Sequence, residues 1–313
     1  MAEMELVSTK CFICELNDSK IIGAGKDYEY DTSNDIFVMM KCKSCGLVYL
    51  NPRPSISTFE RIYPQNYHAI NFSSQHFGIV YQIRSWLEAK RFMSACDDLQ
   101  ANARILDVGC GDGFHLNLLR RYGKKSWTLE GIDLDKRAVE MARKSGLVIY
   151  NGSVESINLP ENSYDLAFMV QTIEHVEKPD EVMRAIRGLL KPGGKLVIVT
   201  DNTDSLDFKL FKRNYWGGYH FPRHWHLFSQ NSLSKLAEKT DFQVARLGTI
   251  ITPVNWVYTV HNWLVERKAP RWLIECFTLK STVSLAAFTL LDLIVQTFHK
   301  GGLLRAMLRK PFN

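Results

Sequence analysis

The sequence predicts an α/β protein: a doubly wound sheet, preceded by a four-cysteine metal ribbon and interrupted late by a helical insertion. Three observations carry this. Ile105-Leu106-Asp107-Val108-Gly109-Cys110-Gly111-Asp112-Gly113 runs an apolar strand into a glycine turn, and Phe114–Leu119 then reads as a helix. Two Cys-x-x-Cys pairs, Cys11/Cys14 and Cys42/Cys45, are separated by twenty-seven residues. Between 254 and 298, apolar residues recur at helical spacing.

The chain has 313 residues, enough for one good core plus appendages. Its 46% hydrophobic and 23% charged content describes a folded protein and excludes a disordered one. The acidic start Met1–Glu5 carries no basic-then-apolar leader, so a reducing, cytoplasmic setting is expected. There, cysteines serve as metal ligands or core residues more often than as disulfides.

The first element is the ribbon. Each Cys-x-x-Cys places two thiolates on one metal, and the residues between the pairs suffice for a hairpin; tetrahedral Zn²⁺ on Cys11, Cys14, Cys42 and Cys45 is the expected reading. A redox pair or free thiols are the alternatives. With four protein ligands such a site is closed, hence structural. Gly46 suits the tight turn after the second pair. Leu47–Pro54 then leaves the ribbon extended and proline-stiffened. Tyr63-Pro64-Gln65-Asn66-Tyr67 reads as an aromatic loop, and Ile79, Ile83, Trp86, Leu87, Phe92 and Met93 support a helix within 76–99.

After the glycine turn, Trp127–Asp133 is a second core strand ending in a carboxylate. Leu147–Tyr150 is a short third strand and Ser163–Val170 a fourth, which runs into Gln171-Thr172-Ile173-Glu174-His175. Leu189–Val199 is expected to close a helix with a Pro-Gly-Gly turn and enter a fifth strand. The loop beyond it, 208–229, is dense in aromatics and holds His220, His224 and His226 within seven residues. A loop at the carboxyl end of a parallel strand is where open α/β sheets place ligands. These histidines are therefore candidates for substrate contact or proton transfer. A metal role is disfavoured, because no nearby acid completes a ligand set. Ser232–Thr240 is the next helix and Phe242–Ile250 the sixth strand.

The glycine spacing is G-x-G-x-G, not the G-x-G-x-x-G of dinucleotide binders, since Phe114 stands where the last glycine would be. With Asp107 leading it, and with Asp133, Asn151–Glu155, Gln171–Val176 and Leu189–Val199 following in order, residues 104–201 resemble the class I S-adenosylmethionine-dependent methyltransferases. The resemblance implies a seven-stranded Rossmann-like sheet whose last, antiparallel strand is Gly302–Pro311, so 252–299 becomes an insertion between strands six and seven. It implies domains at 1–55 (ribbon), 56–103 (aromatic loop and cofactor-covering helices), 104–251 (core), 252–299 (insertion) and 300–313 (final strand). It also implies S-adenosylmethionine contacts: Gly109, Gly111 and Gly113 beside the methionyl end, Asp107 supporting its amino group, Asp133 on the ribose hydroxyls, Ser153 and Val154 flanking adenine, and Gln171 edging the methionine. Many relatives carry Asp at the place of Ser153. Ribbon, "LVYLNPRP" segment, tyrosine loop and core together resemble a bacterial group linked to glycan or lipid modification.

Methyl transfer is an in-line displacement, so positioning and acceptor deprotonation are the protein's tasks. For a non-acidic hydroxyl, His175, His224 and His226 are the candidate bases. Ubiquinone-type O-methyltransferases carry a Glu upstream of the Glu-His pair where Gln171 stands, so metal assistance is not expected. The segment from 254 onward holds eight Lys/Arg against three acids. Trp256, Val257, Val260, Trp263 and Leu264 lie at helical spacing, Pro270 interrupts, and 282–298 is apolar apart from a stripe at Thr289, Asp292, Gln296 and His299. Seventeen residues with Asp292 inside are too few to span a bilayer. An in-plane hairpin flanked by Lys268, Arg271, Lys280 and Lys300 on an anionic membrane is expected, with burial or a homodimer interface as the alternative. The expected acceptor is a small molecule, glycan or lipid-linked group. An RNA methyltransferase using the ribbon, or a non-catalytic cofactor-binding scaffold, are the other readings; no basic cluster around the ribbon favours nucleic acid.

Overall fold

The computed structural model describes residues 4–64, 67 and 74–312. Gln65 and Asn66 of the expected aromatic loop, and the side chains of Ile79 and Ile83 in the expected helix, lie outside the described residues. The strands of the two larger sheets are β1 Ser19–Gly25, β2 Phe37–Cys42, β3 Val48–Leu50, β4 Arg104–Val108, β5 Thr128–Asp133, β6 Val148–Asn151, β7 Tyr164–Val170, β8 Leu190–Asp201, β9 His226–Leu227, β10 Gln243–Ile250 and β11 Leu303–Arg309. The longer α-helices are α1 Ser74–Cys96, α2 Phe114–Tyr122, α3 Lys136–Lys144, α4 Pro179–Leu189, α5 Leu206–Phe211, α6 Gln230–Lys239, α7 Val254–Glu266, α8 Arg271–Glu275 and α9 Thr282–Gln296.

The large sheet has seven strands in the order β10-β11-β8-β7-β4-β5-β6. Strands β4 to β8 pair in parallel, and β11 runs antiparallel between β8 and β10. Parallel strands covered on both faces read as near-continuous apolar runs, and Ile105, Leu106, Ile132, Leu166, Phe168, Leu196 and Ile198 are accordingly buried. The order reverses beside β4, so β4 and β7 diverge at their carboxyl ends and open a crevice there.

Local chemistry sets the helix ends. Pro179 opens α4, with Asp180 and Glu181 in its first turn and Arg187 in its last, matching the helix dipole. Ser229 and Ser232 form a reciprocal cap on α6. One expectation is corrected. The helix ends at Leu189 and β8 begins at Leu190, so Pro192-Gly193-Gly194 is a bulge inside the strand, not a turn before it. The pairing shifts there from Leu190↔Tyr164 to Lys195↔Leu166.

The ribbon is a sheet in the order β9-β3-β2-β1, and β9 comes from the histidine loop of the core. Both knuckles share one geometry. Glu15 N donates to Cys11 O at 2.7 Å and Gly46 N to Cys42 O at 3.0 Å, both from positive φ, while Cys11 N and Cys42 N donate to Leu16 O and Leu47 O. Ribbon and core share their interior. Phe37, Met39, Val48 and Leu50 pack with Trp216, Tyr219, Phe221 and Trp225 of the histidine loop. A wholly buried ion pair reinforces the seam: Arg223 Nη2 lies 2.8 Å and Nη1 3.1 Å from the two oxygens of Asp27. Burial alone would raise the Asp27 carboxyl, but Arg223 and Thr32 hold it below its ordinary value.

The insertion gives the polar stripe a direction that its periodicity leaves open. In α9, Asp292 is buried and accepts from Thr252 N at 2.6 Å, and Gln296 exchanges hydrogen bonds with Thr249, so the polar stripe faces the protein. Its apolar face points outward: Val283 is 79% exposed, Leu290 65%, Ile294 62% and the following Phe298 72%. The physical reason is the open edge of β10 and its exit loop, whose polar groups take Asp292 and Gln296 as partners. Among the described residues, no helix is long and apolar enough to cross a membrane.

Candidate active site

The glycine turn sits at the carboxyl end of β4. Gly109 and Gly111 have φ of +75° and +55°, which favours glycine. A Cβ on Gly109 would overlap the Thr172 side chain, whereas one on Gly111 would meet nothing within 4 Å, so the space above the turn is open. Gly111 N donates to Asp133 Oδ2 and Asp135 N to Asp133 Oδ1, each at 2.8 Å. These bonds fix the carboxylate at the mouth of the crevice. Burial nonetheless raises its carboxyl above the ordinary value.

Asp107 lies one turn deeper and is 1% exposed. Neither of its oxygens has a hydrogen-bond partner among the described residues; His115 Nδ1 is 3.8 Å from Oδ2. Burial, with the Asp133 charge added, pushes its carboxyl up to about 7. A buried, unpartnered carboxylate beside a second acid is a receptor for a cation or an N–H donor.

The other expected cofactor residues are placed as follows. Gln171 stands at the end of β7 with φ of +49°, donates through Nε2 to Asp201 Oδ2 at 3.2 Å, and keeps Oε1 without a partner among the described residues. Gly113 caps the start of α2. The Ser153 hydroxyl turns to Ser156 Oγ at 3.2 Å, and Val154 is buried in the core.

Beyond Gln171 lies a cluster of histidines and tyrosines. His175 Nδ1 is 2.8 Å from Tyr63 Oη and 3.1 Å from Arg223 O; His224 Nδ1 is 2.8 Å from Gly218 O and 3.6 Å from Asp201 Oδ2. Ring centroids are 4.6 Å apart for His175 and His224, and 5.0 Å for His220 and His224. Burial holds His175 well below its ordinary range. His226 stands apart from these rings. Pairing of β9 with β3 turns it into the ribbon seam, edge-on to Phe12 at 4.8 Å and 3.4 Å from Glu177 O. Burial and the Arg53 charge bring it down to about 3.

Among the described residues, two groups have the geometry to hold a metal. The Sγ atoms of Cys11, Cys14, Cys42 and Cys45 lie within 4.8 Å of one another, as do ligand atoms of Glu174, His175 and His224. The second group corrects the expectation that no acid completes a histidine set. Glu174 is buried, accepts from Thr200 Oγ1 at 2.9 Å, and keeps Oε1 unpartnered among the described residues. Burial and the neighbouring Asp201 raise its carboxyl well above the ordinary range. Sequence reading noticed the Glu-His pair but had no signal that a loop fifty residues on would fold over it.

The family described as "Methyltransferase domain" matches residues 80–247. Ubiquinone biosynthesis O-methyltransferase of Xanthomonas oryzae pv. oryzae is 39% identical over 126 residues, 38% of this chain and 51% of the relative. The protein of the same name from Cereibacter sphaeroides is 30% identical over 171 residues, 51% of this chain and 68% of the relative. The chain spans about half the length of several curated relatives that it matches. Phosphoethanolamine N-methyltransferase 2 of Haemonchus contortus, solved with S-adenosyl-L-methionine, superposes with a TM-score of 0.54 at 16% identity, covering 94% of this chain and 68% of that one, a likeness of fold.

Asp107 makes the site's electrostatics measurable. With its folded pKa near 7 and an ordinary value of 3.8, the folded state binds this proton more tightly than the unfolded state. Stability should therefore fall as pH rises from about 4 to about 7 and level off above, by at most about 4 kcal/mol from this group. Urea denaturation of the ligand-free protein should show this slope and Asp107→Asn should make it shallower, Asp133, Glu174 and Asp201 supplying the remainder; parallel profiles would mean that water reaches the Asp107 carboxylate.

Proposed function

This chain belongs to the class I S-adenosylmethionine-dependent methyltransferases, and on that premise we propose that it methylates a hydroxyl of a small-molecule, glycan or lipid-linked acceptor at a membrane surface. The observation that carries the cofactor reading is the unpartnered buried carboxylate of Asp107 below the fixed carboxylate of Asp133. These residues fit S-adenosylmethionine: Asp107 and Gln171 Oε1 suit its ammonium and sulfonium end, and Asp133 its ribose hydroxyls. Gly109, Gly111 and Gly113 leave room over the turn, and Ser153 and Val154 border the proposed adenine edge. The bound group supplies an activated methyl for in-line displacement. The chain's own part is to hold the acceptor over Gln171, exclude water with Tyr63, Tyr67 and the histidine loop, and accept the hydroxyl proton. Of the three proposed bases, His175 and His224 are the ones that border this space, and His226 lies in the ribbon seam.

The four ribbon thiols fit a structural Zn²⁺, with Cys11, Cys42 and Cys45 buried and the residue after each pair turned to close the knuckle. Purified protein should carry one zinc per chain by elemental analysis; a metal-free, folded protein whose Cys11 and Cys42 alkylate freely would remove this reading.

The membrane reading rests on α9. A helix that turns its polar stripe inward and its apolar face outward needs something to cover that face. Exposed Arg267, Lys268, Arg271 and Lys280 flank it, and their charge matches an anionic lipid surface. Because α7 supplies buried Trp256, Val257 and the Asn255–Asp201 bond to the core, deletion of the insertion would damage the site. Leu290→Ser/Ile294→Ser/Phe298→Ser tests the face instead. Wild-type protein should sediment with phosphatidylglycerol-containing vesicles, less so in high salt, and the triple variant should remain in solution. Wild-type protein that stays in solution with vesicles but forms a tight dimer abolished by the triple variant would make α9 an oligomer interface.

A further inference from the structure

The three histidines around the acceptor space differ in what orients them. Nδ1 of His224 is bonded to a backbone carbonyl, Gly218 O, with the Asp201 carboxylate further off at 3.6 Å, and that of His175 faces Arg223 O and the Tyr63 hydroxyl. Nδ1 of His220 lies 2.6 Å from a carboxylate oxygen, Glu29 Oε1. Both side chains of this pair are buried, at 8% and 7% exposure. A carboxylate only accepts, so the contact places the proton on Nδ1 and the lone pair on Nε2. A carbonyl fixes a tautomer equally well. A carboxylate also stabilises the imidazolium that forms when a base takes up a proton, here against burial and the Arg223 charge, which bring His220 down to about 3.

Glu29 comes from the ribbon, and the ribbon loop is built to present it. Asp27 accepts from Glu29 N, Tyr30 N, Thr32 N and Thr32 Oγ1, and pairs with Arg223, three residues beyond His220. Both members of the dyad are thus anchored to one buried ion pair. The His220 ring lies 5.9 Å from the Tyr67 ring, 6.4 Å from His175 and 5.0 Å from His224, and so belongs to the cluster beyond Gln171. His220 and Glu29 also line a small cleft together with Lys26, Tyr28, Asn214 and Asn262.

The geometry points to His220 as the general base for the acceptor hydroxyl and to Glu29, supplied by the ribbon, as its positioning residue. The inference rests on the hydroxyl-methylation reading above and deepens it. The acceptor O–H proton passes to His220 Nε2, and the oxygen's electron pair forms the bond to the methyl carbon. The carbon–sulfur pair returns to sulfur, which leaves as the neutral thioether, and His220 releases its proton to solvent. The ribbon therefore completes the active site.

The test uses full-length zinc-loaded protein with wild-type, Glu29→Ala, Glu29→Gln and His220→Gln chains. Long-range ¹⁵N NMR of labelled histidines, with His220→Gln for assignment, should find His220 as the Nδ1–H tautomer. Glu29→Ala should lose it. Glu29→Gln should keep it, because an amide oxygen still accepts. With labelled S-adenosylmethionine and 3,4-dihydroxybenzoate as acceptor probe, His220→Gln should lower turnover by about 10²–10⁴. Glu29→Gln should move the acidic limb of the pH–rate profile to lower pH, since the imidazolium loses its counter-charge. S-Adenosylhomocysteine affinity should stay within twofold in every variant. An Nε2–H tautomer in the wild type, or His220→Gln retaining more than a tenth of its turnover, would overturn the proposal. Transfer to no hydroxyl acceptor by the wild type would instead sink the substrate reading, leaving the tautomer to decide the dyad.

Discussion

The ion pair between Arg223 and Asp27 is the constraint on which the catalytic half of this molecule depends. Both side chains are wholly buried, and Arg223 also donates to Ile62 O at 2.6 Å and Phe221 O at 2.8 Å. Taking two charges out of water costs several kcal/mol each, and only this dense set of bonds offsets it. Removing one partner would strand the other at a cost of about 3–5 kcal/mol. The pair joins a ribbon loop to the loop that carries the histidines, so neither can take its shape alone. A fourth ribbon strand contributed by the core, and a shared cluster around Trp216 and Trp225, make the same junction from the apolar side.

A second theme is the gathering of acids at the carboxyl ends of the parallel strands. Asp107, Asp133, Glu174 and Asp201 are all raised by burial, the last to about 7. Stability alone would not favour such a set, because each ionised carboxylate repels the next. It suits a ligand that brings positive charge to the middle of the group, as a sulfonium and an ammonium do. The cost of the unliganded site is then part of the affinity for the cationic ligand.

The fold was largely legible because its signals are local. The strand–glycine-turn–helix at 105–119, the carboxylate ending at Asp133 and the paired Cys-x-x-Cys knuckles each fix geometry within a few residues. What escaped sequence reading depends on distant partners. The Pro192-Gly193-Gly194 segment reads as a turn, yet pairing with β7 before it at Leu190 and after it at Lys195 keeps it inside a strand. Asp292 and Gln296 read only as a polar stripe, because periodicity gives a helix its faces but not their direction. His226 reads like His224 two residues away, and strand pairing sends it to the opposite side. Glu29 carries no signal at all, since its partner lies 191 residues later.

The account stands on Asp133 and Asp107 forming a cofactor site rather than a structural cluster of acids. Isothermal calorimetry of S-adenosylhomocysteine with wild-type protein and Asp133→Ala tests this most directly. The account predicts that the wild type binds one equivalent and that the variant, still folded by circular dichroism, binds at least tenfold more weakly, as expected for loss of hydrogen bonds to a charged group worth about 1.5–3 kcal/mol. Equal affinity in the two proteins, or no binding by the folded wild type, would contradict it.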